Sequence, residues 1–176
     1  MTNRSEVNWY RLTFALSTSL LGSCLLNGSD RAVSNRGDDL AITFAVIDKF
    51  EQPTDHFTQG DQATFRIQFH NKSDTRLSLD FTAPGYQVAV IDKKSAEKVW
   101  FSDYGRFYPQ YITKFNMAPH ETRTLDIQWD LTGNDGATPG KSNSGAPLSI
   151  GMYQAQFSGY YGGIKFDLAP LDIKID

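Results

Sequence analysis

Three histidines are the side chains of this chain best suited to metal binding or to acid–base catalysis near neutral pH. They are His56, His70 and His120, and each lies in a separate polar stretch. A zinc site draws its ligands from paired or clustered side chains, and none of these histidines has a partner at ligand spacing. The pattern favours solvated turn histidines and predicts no metal site.

A glycine-rich segment at residues 136–142, GATPGKS, approaches the phosphate-binding P-loop pattern. Only three residues separate its glycines instead of four, and the following NSGAP cannot begin a helix. Without a helix N-terminus the segment lacks the dipole and the amides that hold an anion. Asp38 and Asp39 likewise lack the alternating oxygen ligands of a calcium loop. With no nucleophile–histidine–acid set evident, the sequence predicts no catalytic residues, no enzyme and no cofactor.

The remaining chemistry is that of protein binding, and it concentrates in an aromatic loop at residues 102–110, SDYGRFYPQ. Tyrosine, phenylalanine and arginine are favoured anchors at protein interfaces, because large side chains can fill pockets of a partner. Tyr104, Arg106, Phe107 and Tyr108 are therefore the candidate partner-binding residues. In the alternative interpretation these aromatic side chains fold back over one end of the domain.

The single cysteine, Cys24, ends an N-terminal segment with the features of an export signal. Arg4 and Arg11 supply a basic region, and residues 12–21 form an apolar stretch too short to span a bilayer. The sequence LGSC at residues 21–24 resembles the bacterial lipobox, in which the cysteine is lipidated and becomes the new N-terminus. Residues 1–23 are thus predicted to be a lipoprotein signal peptide, with an ordinary cleaved signal as the alternative.

Residues 24–39 are polar and rich in Gly, Ser, Asn and Asp, which predicts a flexible tether between the lipid and the domain. The chain has 176 residues, 40% of them hydrophobic, enough for one folded domain over residues 40–176. Its formal net charge of −3 provides no electrostatic footprint for nucleic acid. The predicted location is the cell envelope, with a lipid anchor in the membrane.

Alternating apolar and polar residues organise the domain. Phe65, Ile67 and Phe69 alternate with Arg66 and Gln68, so one face of this strand is buried and the other is exposed. Further strands are predicted at residues 40–50, 75–81, 86–92, 111–117, 122–130, 150–157, 164–168 and 171–175, with a short hairpin partner at 99–101. Residues 51–60 and 131–149 are predicted to be loops, and Pro84-Gly85 to separate two strands.

About eight short strands without a convincing helix predict an all-β protein, an antiparallel β-sandwich. Phe65, Ile67, Leu125 and Trp129 are expected to point inward together, between the two sheets. Trp129 is expected to be a core residue.

The order of these parts is similar to that of the BsuPI-like intracellular proteinase inhibitor family. The resemblance covers most of residues 57–175 and rests mainly on turn and core positions. In chain order the matching residues are Gly60, Asp61, Asn71, Ser73, Asp74, Val99, Trp100, Ser102, Asp103, Pro119, Glu121, Trp129, Asp130, Gly151 and Tyr153. His120 departs from the family pattern, which has glycine after this proline.

The resemblance implies an immunoglobulin-like fold and a non-enzymatic protein that inhibits a proteinase, with a subtilisin-like protease as the partner. It assigns no inhibitory residue by motif. Two other functions stay open. One is a structural or accessory envelope module without inhibitory activity; the other is a carbohydrate-binding sandwich that stacks Tyr104, Tyr160 and Tyr161 on sugars.

Overall fold

A computed structural model describes residues 31–34, 39–109, 112–161 and 164–176. The predicted signal peptide, Cys24 and most of the predicted tether lie outside these ranges. The described residues form β-strands at Arg31–Ser34 (β1), Leu40–Ile47 (β2), His56–Phe57 (β3), Ala63–Asn71 (β4), Leu77–Asp92 (β5), Lys98–Phe101 (β6), Ile112–Met117 (β7), Thr122–Trp129 (β8), Gly151–Tyr161 (β9), Ile164–Asp167 (β10) and Leu171–Ile175 (β11). No helix in these ranges is long and apolar enough to cross a membrane.

The strands form two sheets, which confirms the predicted β-sandwich. The first sheet has the order β1-β2-β4-β8, with every pair antiparallel. The second has the order β3-β11-β9-β5-β6, with β7 also paired to β5 and β10 to β9. Its pairs are antiparallel except for the short parallel pair of β3 and β11.

The core lies between the sheets, and the alternation predicted for β4 places its apolar side chains there. Phe65, Ile67 and Trp129 are fully buried, as expected. Leu125 also packs against the core but stays partly exposed, since β8 is the last strand of its sheet. This difference leaves one side of the sandwich open.

Three features of the fold differ from the sequence-based expectation. The Pro84-Gly85 pair does not end a strand: β5 continues through it, with a shift in its register to β9 between Phe81 and Tyr86. Arg31–Ser34, inside the predicted tether, pairs with β2 as an edge strand. His56–Phe57, inside a predicted loop, pairs with β11.

The turn between β7 and β8 shows why glycine suits the position that His120 occupies in this chain. His120 has φ of 58°, a left-handed conformation that glycine adopts without steric cost. Histidine is among the residues that tolerate this region better than most. The backbone amide of Glu121 bonds the carbonyl of Ala118 at 3.2 Å, so the turn closes with histidine in place.

Candidate functional site

The aromatic loop begins directly after β6 and is held to β5 at its base. The amide of Ser102 donates to the carbonyl of Val88 at 2.9 Å, and the Ser102 hydroxyl accepts from the Val88 amide at 3.2 Å. The side-chain amide of Gln87 also donates to the carboxylate of Asp103. Two neighbouring positions of β5 therefore fix where the loop starts.

The middle of the loop is backed by the long connection at residues 131–149. The amide of Gly140 donates to the carbonyl of Tyr104 at 2.9 Å. Gly105, with φ of 64°, lies so close to this connection that a Cβ would come within 2.5 Å of the Cα of Pro139. The ring of Tyr104 packs edge-on against Phe101, with centroids 5.4 Å apart. A rigid support thus lies behind the loop.

The four predicted binding residues do not act as one group, because the loop sends their side chains in different directions. Tyr104 packs on the sheet, whereas Phe107 is 98% exposed. Arg106 is exposed as well, and Tyr108 is 39% exposed beside Tyr86. Tyr104 and Tyr108 therefore lie back on the sandwich, while Phe107 protrudes from it, and partner binding by the loop stays a prediction.

Tyr108 and Arg106 converge on Tyr86, just after the irregular point of β5. Burial raises the pKa of the Tyr86 hydroxyl above its ordinary value. The charge interaction with Tyr108 raises this pKa further, and that with Arg106 lowers it. The hydroxyl of Tyr86 is therefore neutral at physiological pH. Sequence reasoning did not single out this residue, because its neighbours come from a loop 20 residues away.

Next to Tyr86 the sandwich has an open groove between β8 and the second sheet, here called the β8 groove. One part has a volume of about 510 Å³ and is mainly apolar, and the adjoining part measures about 520 Å³ and is more polar. The two parts share Pro84, Tyr86, Tyr108 and Leu125. The apolar part also contains Phe69, Phe81 and Phe115, whose rings meet edge to face.

Hydrogen bonds hold the connection at residues 131–149, which was predicted to be a loop. The buried side chain of Asn134 accepts from the amide of Phe101 at 2.6 Å and donates to the carbonyl of Ser142 at 3.0 Å. The indole of Trp100 donates to the same carbonyl at 2.9 Å. The connection therefore closes one part of the sandwich, and the composition of the segment did not indicate this.

The histidines lie apart in the structure. His56 pairs with Asp55 at 2.6 Å, His70 contacts Thr122 at 2.9 Å, and His120 contacts Asp74 at 2.9 Å. Within the described ranges, no three His, Cys, Asp or Glu side chains are grouped so that they could hold a metal ion. Of the tyrosines considered for sugar binding, Tyr160 and Tyr161 lie in β9, away along the chain from Tyr104.

A comparison of the sequence with protein families gives one match. The sequence profile described as BsuPI, intracellular proteinase inhibitor, matches residues 31–156. The chain belongs to this family. The match begins at the first residue of β1 and so includes Arg31–Ser34. The description of this family names proteinase inhibition as the activity of its members.

Solved structures resemble the BsuPI domain only distantly, and no curated protein matches it. A β-glucosidase from Listeria innocua in complex with glucose aligns with 81% of this chain and 17% of its own, at 10% identity and a TM-score of 0.42. The alkylpurine DNA glycosylase AlkC of Pseudomonas fluorescens, bound to DNA containing an abasic site analog, aligns with 79% of this chain and 31% of its own, at 8% identity and a TM-score of 0.38. The C-terminal domain of wzt aligns with 84% of this chain and 78% of its own, at 12% identity and a TM-score of 0.40. This chain thus spans less than a third of the first two proteins.

Proposed function

We propose that this BsuPI domain is a non-enzymatic, protein-binding β-sandwich that inhibits a subtilisin-like protease by inserting Phe107 into a pocket of the protease cleft. The observation that carries the proposal is the side chain of Phe107, 98% exposed on a loop that is fixed on two sides. An isolated exposed phenylalanine on a mobile loop would be unremarkable. On a supported loop it is an anchor in position to bind.

The rigidity of the loop matters because binding costs conformational entropy. Each side chain or loop segment that is ordered only on binding reduces the affinity. Here the bonds of Ser102 and Gly140 hold the loop at residues 102 and 104, and the amide of Arg106 bonds the carbonyl of Asp103 at 3.0 Å. Phe107 can then contribute its apolar area, while the neighbouring cation of Arg106 adds a polar contact at the rim.

The test is a titration of subtilisin with the full chain and with two single variants. Phe107→Ala removes the proposed anchor, and Phe50→Ala is the matched control, because Phe50 is 71% exposed in the turn after β2. We expect Phe107→Ala to raise the inhibition constant by roughly thirtyfold or more, as for an interface hot spot. Phe50→Ala should leave it unchanged.

The outcome that contradicts the loop assignment is inhibition that is equally strong in the wild type and in Phe107→Ala. Urea unfolding of both variants gives the stability control, since both rings are exposed and their loss should barely change the free energy of unfolding. A broad panel of proteases that the wild type leaves fully active would contradict inhibition itself. That result would favour the accessory envelope module.

The membrane anchor is a separate part of the proposal, and it rests on the sequence around Cys24. Lipidation there would hold the BsuPI domain at the cell envelope and bring it to proteases outside the cytoplasm. A bacterial cell fed a clickable palmitate analogue should label the wild-type chain and not Cys24→Ala. An unlabelled wild-type chain would contradict the anchor while leaving the inhibition test untouched.

A further inference from the structure

The tip of the aromatic loop, residues 105–109, presents five consecutive exposed residues. Residues 106–109 belong to no strand and to no turn, so they are open to a partner along their whole length. Five extended residues reach roughly 16 Å. Peptides that bind as extended strands use such a length, with alternate side chains entering pockets. The tip can therefore lie in a protease cleft as a substrate does, rather than touch it with one side chain alone.

Successive side chains of the tip point in opposite directions. Arg106 and Tyr108 both line the polar part of the β8 groove, and both act on the pKa of the Tyr86 hydroxyl. Phe107, between them, lines neither part of the groove and is 98% exposed. A period of two is the geometry of an extended backbone. The chain is thus extended at Phe107, and this side chain is the one directed at a partner.

The chain is tied to the sandwich on both sides of Phe107. On the N-terminal side, the carbonyl of Tyr104 accepts from the amide of Gly140 at 2.9 Å. On the C-terminal side, β7 pairs with β5 from Ile112 onward. The two halves of an ordinary substrate diffuse apart after cleavage, whereas both ends of this loop stay attached to one folded domain. These ties favour an intact, bound chain over the release of products.

The chemistry of the protruding side chain selects one class of protease pocket. The primary specificity pocket takes the side chain just before the scissile bond; it is a hydrophobic slot in chymotrypsin, contains a carboxylate in trypsin and is small in elastase. A large apolar pocket buries the ring of Phe107, whereas a carboxylate gains nothing from it and a small pocket does not admit it. Arg106, the side chain that a carboxylate would bind, is turned toward Tyr86.

We propose that Phe107 occupies the primary specificity pocket, so that the Phe107–Tyr108 peptide bond lies at the catalytic serine, and that the target is a protease that cleaves after large apolar residues. This inference rests on the proposed function and goes one step further. A protease cleft has several pockets, and the proposed function holds for Phe107 in any of them. The primary pocket makes Phe107 the residue that determines which proteases are inhibited.

The test compares inhibition constants with substrate preferences of the same enzyme, subtilisin. The chain is measured as wild type and as Phe107→Tyr, Phe107→Leu, Phe107→Ala and Phe107→Asp. Two series of peptide anilides carry the same five residues, either directly before the cleaved bond or at the fourth position before it. We expect the inhibition constant to fall in proportion as kcat/KM of the first series rises, because both then report one side chain in one pocket. Phe107→Leu should lie within about fivefold of the wild type, and Phe107→Asp should be weaker by roughly a hundredfold or more.

Matched control variants carry the same replacements at another exposed phenylalanine. Phe50 is 71% exposed in the turn after β2, and Phe50→Leu and Phe50→Asp should leave the inhibition constant unchanged. Urea unfolding of Phe107→Asp and Phe50→Asp checks that both variants fold. Since both rings are exposed, neither replacement should change the unfolding midpoint appreciably.

Inhibition constants that follow the second substrate series would place Phe107 in a pocket farther from the scissile bond and would overturn this inference. Constants that follow neither series would overturn it as well. In both cases the wild-type chain still inhibits subtilisin, so the proposed function stands. A wild-type chain that leaves subtilisin and a broad panel of proteases active would instead contradict the proposed function, and this inference with it.

Discussion

Two aromatic clusters lie in the same sandwich and differ in how they are covered. The central cluster, Phe65 with Trp100 and Trp129, has ring centroids 5.4 to 5.9 Å apart and is fully buried. The open cluster, Phe69 with Phe81 and Phe115, has similar spacings of 5.7 to 6.0 Å. Phe81 and Phe115 nevertheless remain partly exposed.

The difference in exposure between the two clusters comes from the loop segments that lie over them. The connection at residues 131–149 covers the central cluster, and its carbonyls accept the indole N–H groups of both tryptophans, from Ser142 and Thr132, at 2.9 Å. Beside the open cluster, in the described ranges, the sheet ends at β8 and only Tyr108 of the aromatic loop lies across it. Similar aromatic packing is therefore fully buried at the centre and lines an open groove at the edge.

Replacing Trp129 by alanine tests the central cluster and should have the largest effect. The ring is fully buried and touches Phe65 and Trp100, so its loss leaves a cavity. We expect a loss of about 3–5 kcal/mol in the free energy of unfolding, measured with urea. Trp129→Phe, which keeps a ring and loses the bond to Thr132, should lose less. A loss no greater than that of Phe115→Ala would contradict the comparison.

Asn71→Ala tests whether the open end is held by buried polar bonds. The fully buried side chain of Asn71 donates to the carbonyls of Thr75 and Ala118 at 2.8 Å and accepts from Ser73. Its removal deletes the hydrogen bonds that join these three residues to a fully buried side chain, so we expect a loss of about 2 kcal/mol. Ser73→Ala is the control on the same turn and should cost less. If Ser73→Ala lost as much free energy of unfolding as Asn71→Ala, the bonds of the buried Asn71 side chain would not be the ones that stabilise this turn.

Phe115→Ala tests the open cluster and should have a smaller effect than either. The ring contacts Phe69 and Phe81 but already faces the groove, so less apolar area returns to water. We expect a loss of about 1–2 kcal/mol by urea unfolding. A loss above about 3 kcal/mol, as large as that expected for Trp129→Ala, would contradict the comparison.

The ion pair between Asp126 and Arg66 should give the smallest effect, which is present at neutral pH and lost in acid. The hydrogen bond from Arg66 lowers the pKa of the Asp126 carboxyl below its ordinary value of 3.8. A lowered folded-state pKa adds stability above the unfolded value, and this stability is lost as the pH falls through the folded value. Since the carboxylate is 39% exposed, Asp126→Asn should cost less than about 1 kcal/mol at pH 7. The cost should shrink below pH 4; a cost independent of pH would contradict the assignment.

The sequence predicted those features that depend on local alternation. Phe65, Ile67 and Trp129 follow a period of two, which assigns the buried face before any partner strand is known. The Pro84-Gly85 pair misled the prediction, because Gly85 adopts φ of 73° within a continuing strand instead of ending it. Arg31–Ser34 has little apolar character, and its pairing with β2 depends on the neighbouring strand rather than on its own composition.

The candidate site was predictable only in part. Composition identified the aromatic loop, and one of its aromatic residues, Phe107, does protrude. Which aromatic residue would protrude depends on the contacts of Tyr104 with Phe101 and Gly140, which no local pattern encodes. The β8 groove arises where two sheets end beside each other, so its residues come from β4, β5, β7 and β8 and share no motif.

The most direct measurement of the central claim is a titration of active-site-quantified subtilisin with the full chain. If this BsuPI domain inhibits as proposed, activity should fall linearly and end at one chain per enzyme, with the chain recovered intact. Full protease activity at an excess of the chain, or cleavage of the chain within the aromatic loop without loss of activity, would contradict the account.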